Sequence, residues 1–221
     1  MAKTAQKRIG RPRASHRVST QPVEEEILGV AARLVGRKGF AGTSTHEIAK
    51  AAGLRQPSIF HYFKNKQAIF RELLDRAIQP VLEFAVDNHK RDISGPAKLY
   101  RLVYFDTQFL CTSPYCGTAA AALADDIDAN HPQFRKKRAK LIAKYAKYIE
   151  TGMEDGVFLP GNLKATTNAV FGLGESTLWW AILVSPKKAA RIAETNADLG
   201  LRGLLVEPSL LDEIKQEALP I

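Results

Sequence analysis

The chain is poor in several things that other protein classes require. Among 221 residues it has two cysteines, Cys111 and Cys116, too few for a disulfide framework, and two free thiols point to a reducing, cytoplasmic setting. Their C-x4-C spacing has no second pair and no histidine at ligand distance, so no metal is expected, and packed or pocket-lining thiols are preferred to a redox switch. A long apolar run is also missing. The longest uncharged stretch, residues 107–124, is diluted by Gln108, Ser113, Pro114 and Gly117, which excludes a membrane span, and the basic N-terminus lacks the apolar segment of a secretory signal. No segment alternates apolar and polar residues between hairpin turns, which leaves an all-α reading. Nucleophile-elbow, zinc-protease and phosphate-loop patterns are absent, so neither an enzyme nor a cofactor is expected.

Acidic residues are missing from one place only. The formal net charge is +9, and residues 1–20 hold six bases without a single acid. Residues 21–70 add seven bases against four acids, while the bases and acids of residues 71–221 cancel, so the whole excess lies in the first third. A polyanionic partner is expected there. The first 19 residues have almost no apolar content to offset the entropy of ordering and read as a flexible basic arm. Within it Gly10-Arg11-Pro12-Arg13 is similar to the core of an AT-hook, in which Arg11 and Arg13 would lie in a narrow minor groove; the alternative is a solvated tail with only non-specific attraction.

Helical punctuation begins near Thr20, a candidate N-cap, with Glu24, Glu25 and Glu26 suited to the positive end of a helix. Ile27, Val30, Ala31, Leu34 and Val35 form one apolar stripe that ends at Gly39. Ser44 and Glu47 have capping-box spacing and open a second helix that stops at Gly53. A third helix is expected over about Gln56 to Tyr62, with Pro57 in its first turn, and Asn65 caps a fourth that Pro80 should kink or interrupt. The first three helices have the size of a helix-turn-helix unit over residues 20–70. With Ile48, Ala52, Leu54, Ile59 and Phe63 inside, Thr45, His46, Arg55, Gln56, Ser58, His61 and Tyr62 point outward, a polar and aromatic set suited to a DNA groove and its phosphates.

The segment TSTHEIAKAAGLRQPSIFHYFKNKQAIF, Thr43 to Phe70, resembles the signature of the TetR family of bacterial transcriptional regulators, through Ile48-Ala49, Ala52-Gly53, the cluster Phe60-His61-Tyr62-Phe63, and Lys66 at the start of the next helix. The resemblance covers roughly residues 23–75. It implies that the third helix enters the major groove, with Gln56, Pro57 and Ser58 near base edges, Gln56 suited to adenine, and Arg55 to guanine or a phosphate. Thr45 and His46 match positions that touch the backbone and an outer base, and Tyr62 and Lys66 match phosphate contacts. Phe60 stands where the family usually has tyrosine, so one phosphate-binding hydroxyl is missing. Phe60 and Phe63 read as core residues or as contacts, and His61 as a contact or a solvated position.

Residues 71–221 are expected to form a helical bundle that, by the resemblance, makes a homodimer and holds a small-molecule effector. Helices are expected over about 97–111, 115–124, 132–155, 163–184 and 187–205, with an amphipathic tail after Pro208. The last two long ones carry apolar and small residues on several sides, as a dimer face requires. Phe84, Tyr104, Phe105, Gln108, Phe109, Cys111, Tyr115, Phe171 and Trp179 are candidates for an apolar pocket. The basic run from Arg135 to Lys147 reads as a solvated face. The sequence thus points to a dimeric, effector-released repressor on a palindromic double-stranded operator; the alternative is a non-specific basic DNA or membrane-surface binder.

Overall fold

The computed structural model describes residues 22–124 and 131–221. The basic arm, with Arg11 and Arg13, and the candidate cap Thr20 lie outside the described residues. Helix α1 (Val23–Lys38) starts from Pro22 with three glutamates in its first turn and ends at Gly39, whose φ of 72° only glycine adopts readily. Helices α2 (Thr45–Ala51) and α3 (Gln56–Ile59) cross at a turn through Gly53, where φ is 67°. The sequence leads one to expect α3 to reach Tyr62. It stops at Ile59, and the chain tightens into i→i+3 bonds, Phe60 N–H to Pro57 and His61 N–H to Ser58, which turn it out toward Asn65.

Helix α4 (Lys66–His89), capped by Asn65, continues as one helix through Pro80, so of the expected kink or interruption the interruption does not occur. It crosses from one core to the other. Ile69, Phe70, Leu73 and Leu74 pack with Ile27, Ile48 and Ile59 of the first three helices, whereas Ile78, Val81 and Ala85 join the second core. That second core is built by α5 (Gly95–Thr112), α7 (Pro132–Glu154), α8 (Leu163–Ser176), α9 (Pro186–Arg202) and α10 (Leu210–Ala218), with Leu99, Tyr100, Leu102, Tyr145 and Ile149 at its centre. Helix α6 (Cys116–Ala124) lies against α1, where Gly36 and Gly117 let two backbones approach closely. Arg101 is buried and fastens the C-terminal tail, donating to Asn88 Oδ1 at 2.9 Å and to the carbonyls of Ala218 and Pro220.

The helix expected over 163–184 is shorter than its apolar pattern implies. α8 ends at Ser176, where the Ser176 and Thr177 hydroxyls bond back to the carbonyls of Leu173 and Gly174. A single 3-10 turn, Thr177–Trp179, follows, then Leu183 at φ 54°, and Ser185 caps α9 with Pro186 in its first turn. A residue before proline avoids the helical region, so continuity into α9 is sterically closed. The one β-type pairing among the described residues is an isolated antiparallel bridge between Phe158 and Leu205.

Candidate nucleic-acid interface

The outward face of α2 and α3 is held by local bonds. Ser44 Oγ accepts from the Glu47 N–H at 3.2 Å while Glu47 Oε2 accepts from the Ser44 N–H at 3.0 Å, the reciprocal capping box expected from the spacing. Lys38 Nζ adds an ion pair to Glu47 at 2.6 Å, and these donors, Lys38 foremost, pull the Glu47 carboxyl down to about 2. Thr45, the first residue of α2, accepts from Gln56 Nε2 at 3.1 Å, which ties the first residue of α3 to the start of α2. The Gln56 carbonyl oxygen and its second amide hydrogen are then available to a base edge.

His46, Arg55, Pro57 and His61 are exposed or half-buried at the surface, as are Thr45, Gln56 and Ser58. Phe60 and Tyr62 are large aromatics left 49% and 45% exposed, whereas Phe63 is buried; of the two phenylalanines, Phe63 is therefore the core residue and Phe60 is not. Lys66 departs from a simple solvent-facing role. Its ammonium donates to the carbonyls of Phe40 at 2.9 Å and Thr43 at 3.0 Å and sits 4.1 Å from the centre of the Phe40 ring, so it clamps the α1–α2 turn and keeps one N–H for a phosphate. Two exposed bases of this unit, Lys50 and Lys64, were not among the expected contacts. Lys64 had a readable signal, a base beside Tyr62 and directly before the Asn65 cap.

The nine candidate pocket residues do not converge. Phe84 and Phe105 stack on each other at 4.0 Å, and Phe109 continues the stack at 6.4 Å from Phe105. Phe109 and Tyr115 line an open hollow of about 430 Å³ between α4 and the α5–α6 turn. Phe171 instead lines a separate cavity of about 40 Å³ inside the bundle, and Cys111 is buried against Ala181 and Ala189. Tyr104 and Gln108 are half-buried and border neither. Trp179 is 65% exposed, which removes it from any interior pocket: the break of α8 swings it outward. Residues 104, 105, 108 and 109 share one side of α5, but Phe105 and Phe109 are taken up by stacking with Phe84 and with each other, which is why an aromatic-rich sequence did not make an aromatic-lined pocket. The residues that border the inner cavity with charge, Asp106, Arg138 and Glu175, were not expected there.

Among the described residues no helix is long and apolar enough to cross a membrane, and no group of histidine, cysteine and acidic residues could hold a metal ion.

Residues 27–73 match the family model for bacterial regulatory proteins of the tetR family. Over 145 residues the chain is 30% identical to the HTH-type transcriptional regulator EthR of Mycolicibacterium smegmatis, an alignment covering 66% of this chain and 65% of that one, so the chain spans a little under two thirds of that relative. Among solved structures it resembles AmtR of Mycobacterium smegmatis, with a TM-score of 0.67 and 25% identity over 85% of this chain and 95% of that one. It also resembles AibR, crystallised with isovaleryl coenzyme A and operator DNA, with a TM-score of 0.66 and 18% identity over 80% and 97% of the two chains.

Proposed function

We propose that the chain, which matches the tetR family model over residues 27–73, is a cytoplasmic, dimeric repressor of that family that binds a palindromic operator and leaves it when a small, largely apolar effector enters the bundle. The observation that carries the reading is the α2–α3 face: a capped, pre-bonded pair of short helices presents His46, Arg55, Gln56, Pro57, Ser58, His61 and Tyr62 together, in the segment that matches the family. Gln56, oriented by Thr45, reads adenine by donating to N7 and accepting from N6; Arg55 takes guanine or a phosphate. Thr45, His46, Tyr62, Lys64 and the remaining Lys66 N–H bind the backbone. Arg11 and Arg13 of the arm reach the adjoining minor groove.

A half-site reader needs a second copy about 34–36 Å away along the duplex. The dimer surface is the outer side of α8, α9 and the turn between them, where Ala165, Ala169 and Gly172 make a low-relief stripe and Trp179, Trp180, Leu183 and Leu199 stand exposed. AibR, a neighbour of this fold, was crystallised holding both isovaleryl coenzyme A and operator DNA. Effector binding selects a dimer in which the two α3 helices no longer match successive major grooves.

Selection from a random duplex pool with purified full-length protein tests the reading. The expected product is a palindrome whose half-sites contain adenine at the Gln56 position, and Gln56→Ala relaxes preference there. Recovery of base composition alone overturns sequence-specific repression in favour of a general basic DNA binder. Deleting residues 2–19 should flatten the dependence of log K on log salt by about 0.9 for each phosphate that the arm had neutralised.

A further inference from the structure

The interior of the bundle contains a buried carboxyl that, among the described residues, has no ion-pair partner. On α5 the residues at core register run Leu99, Leu102, Val103, Asp106, Leu110, so an aspartate occupies a position that the helical period reserves for an apolar side chain. Asp106 is 3% exposed. One carboxyl oxygen accepts from the Tyr145 hydroxyl at 2.7 Å, and among the described residues no lysine, arginine or histidine forms an ion pair with it. The cation bordering the same cavity, Arg138, is engaged elsewhere: Nε and Nη2 form a two-pronged bridge to Glu175 at 2.8 and 2.7 Å, and its guanidinium lies 5.0 Å from the centre of the Phe171 ring. Asp106, Arg138 and Glu175 all border the inner cavity of about 40 Å³, whose remaining wall is apolar. This wall therefore carries one negative charge more than positive when Asp106 is ionised.

A buried carboxylate with a single hydrogen bond and no cation is costly, and an adjacent cavity is the place where the missing charge can be supplied. We propose that the cavity receives a small organic monocation, a primary ammonium on a compact apolar body, with Asp106 as its counter-ion and Tyr145 as the residue that orients the carboxylate. This rests on the effector reading above and names the chemical class of that effector. The cavity has room for an ammonium and one or two methylenes, and a longer body would extend toward Leu123, which borders it and is 38% exposed. An anion would meet both Asp106 and Glu175. A neutral ligand would leave Asp106 without a partner.

The groups facing Asp106 agree. Burial, with Glu175 adding to it, raises its carboxyl to about 7, against the opposing pull of the Tyr145 hydroxyl and Arg138. Cys116 on α6 lies within its field and is itself pushed upward by burial, to about 12, so it stays a neutral thiol. The cavity-lining residues of α4, Ala77, Ile78 and Val81, bring no charge. An ammonium docking on Asp106 displaces the carboxyl proton, which makes binding tighten as pH rises.

The test uses the full-length protein and n-butylamine, with butan-1-ol and butyrate as neutral and anionic counterparts, followed by calorimetry and by NMR shifts. Butylamine should bind once per chain, more tightly than either counterpart, with affinity rising about tenfold between pH 6 and 8. Asp106→Asn keeps the shape, removes the charge, and should weaken butylamine by on the order of 30-fold or more. Ala119→Leu fills the cavity while leaving Asp106 in place and should abolish binding, which keeps the inference testable if the first variant misfolds. Equal binding of butan-1-ol or butyrate, or unchanged butylamine affinity in Asp106→Asn, overturns it. Butylamine bound through Asp106 with no change in operator affinity overturns the effector reading and leaves the cation site standing; operator binding without butylamine binding does the reverse.

Discussion

The helix-turn-helix and the bundle treat a carboxylate in opposite ways. On the first, Glu47 lies at the surface, where Lys38 and the Ser44 N–H and hydroxyl stabilise its charge and hold it near 2. In the second, Asp106 lies inside, has the Tyr145 hydroxyl as its one hydrogen-bond partner among the described residues, and rises to about 7. The first arrangement fixes the geometry of a face that is complete before its ligand arrives. The second leaves a polar group under-satisfied, which costs stability and creates a demand that a ligand can fill. A unit that reads DNA benefits from a rigid preformed face, and a unit that responds to an effector benefits from an interior that is better satisfied when occupied.

The largest test of whether these are two regions or one is the core that α4 shares between them. Phe70 is fully buried, packs on Phe40 at 4.5 Å, and meets the His131 ring at the start of α7 at 4.8 Å. Phe70→Ala should cost about 3–5 kcal/mol in denaturant unfolding. Because α4 is continuous and α6 packs on α1, one cooperative transition should shift as a whole. Two transitions, with only the earlier one moved, would show that the regions unfold separately.

A smaller effect separates the two carboxylates by sign. A folded-state value of about 7 against the ordinary 3.8 means that the native state holds the Asp106 proton more tightly than the unfolded chain. Its stabilising contribution is therefore full below about pH 4 and is lost as pH rises toward 7, by at most ~4 kcal/mol. Chemical unfolding at pH 5 and pH 8 should show this loss in the wild type and a flatter profile in Asp106→Asn. Smaller again is the cap: Ser44→Ala removes one side of the capping box and should cost about 1 kcal/mol, together with part of the operator affinity, since α2 loses the anchor that aims Thr45 and His46.

The contrast also explains what could be read from the residues alone. Caps, the Gly53 turn and the i, i+3, i+4 stripes are local, so the end of α1, α2 and the start of α4 were legible almost to the residue, as was the exposed face they carry, whereas α1 begins at Val23 from Pro22 rather than from a first turn containing Pro22. The end of α8 was not, because its apolar residues continue past the point where the hydroxyls of Ser176 and Thr177 and the Ser185-Pro186 step stop the helix. The inner cavity was obscured by composition: aromatics drew attention to Phe105, Phe109 and Trp179, whereas the informative residue was one acid at a core register of α5. That signal, Asp106 spaced between Leu102, Val103 and Leu110, was present in the sequence but needed the partners from α7 and α8, about 32 to 69 positions away, to acquire meaning. Lys66 shows the same limit on the other side, since its bonds to Phe40 and Thr43 depend on where the α1–α2 turn lies in space.

The smallest expected effect is the acid limb of Glu47, and it completes the comparison. Its folded value of about 2 lies below the ordinary 4.5, so its contribution is full above about pH 4.5 and declines as pH falls toward 2, the opposite direction to Asp106. Glu47→Gln should remove that decline while retaining most of the cap geometry, because the amide oxygen still accepts from the Ser44 N–H. Lys38 and Glu47 are both largely solvent-exposed, so salt screens the ion pair more than it screens the capping bonds. Thermal unfolding between pH 5 and pH 2.5 at low and high salt should therefore show an acid decline that shrinks with salt without vanishing, and that disappears in Glu47→Gln. If salt removed the decline entirely, the carboxylate would be held by Lys38 alone, and the rigidity ascribed to the DNA-facing unit would rest on a screened surface pair rather than on the helix cap.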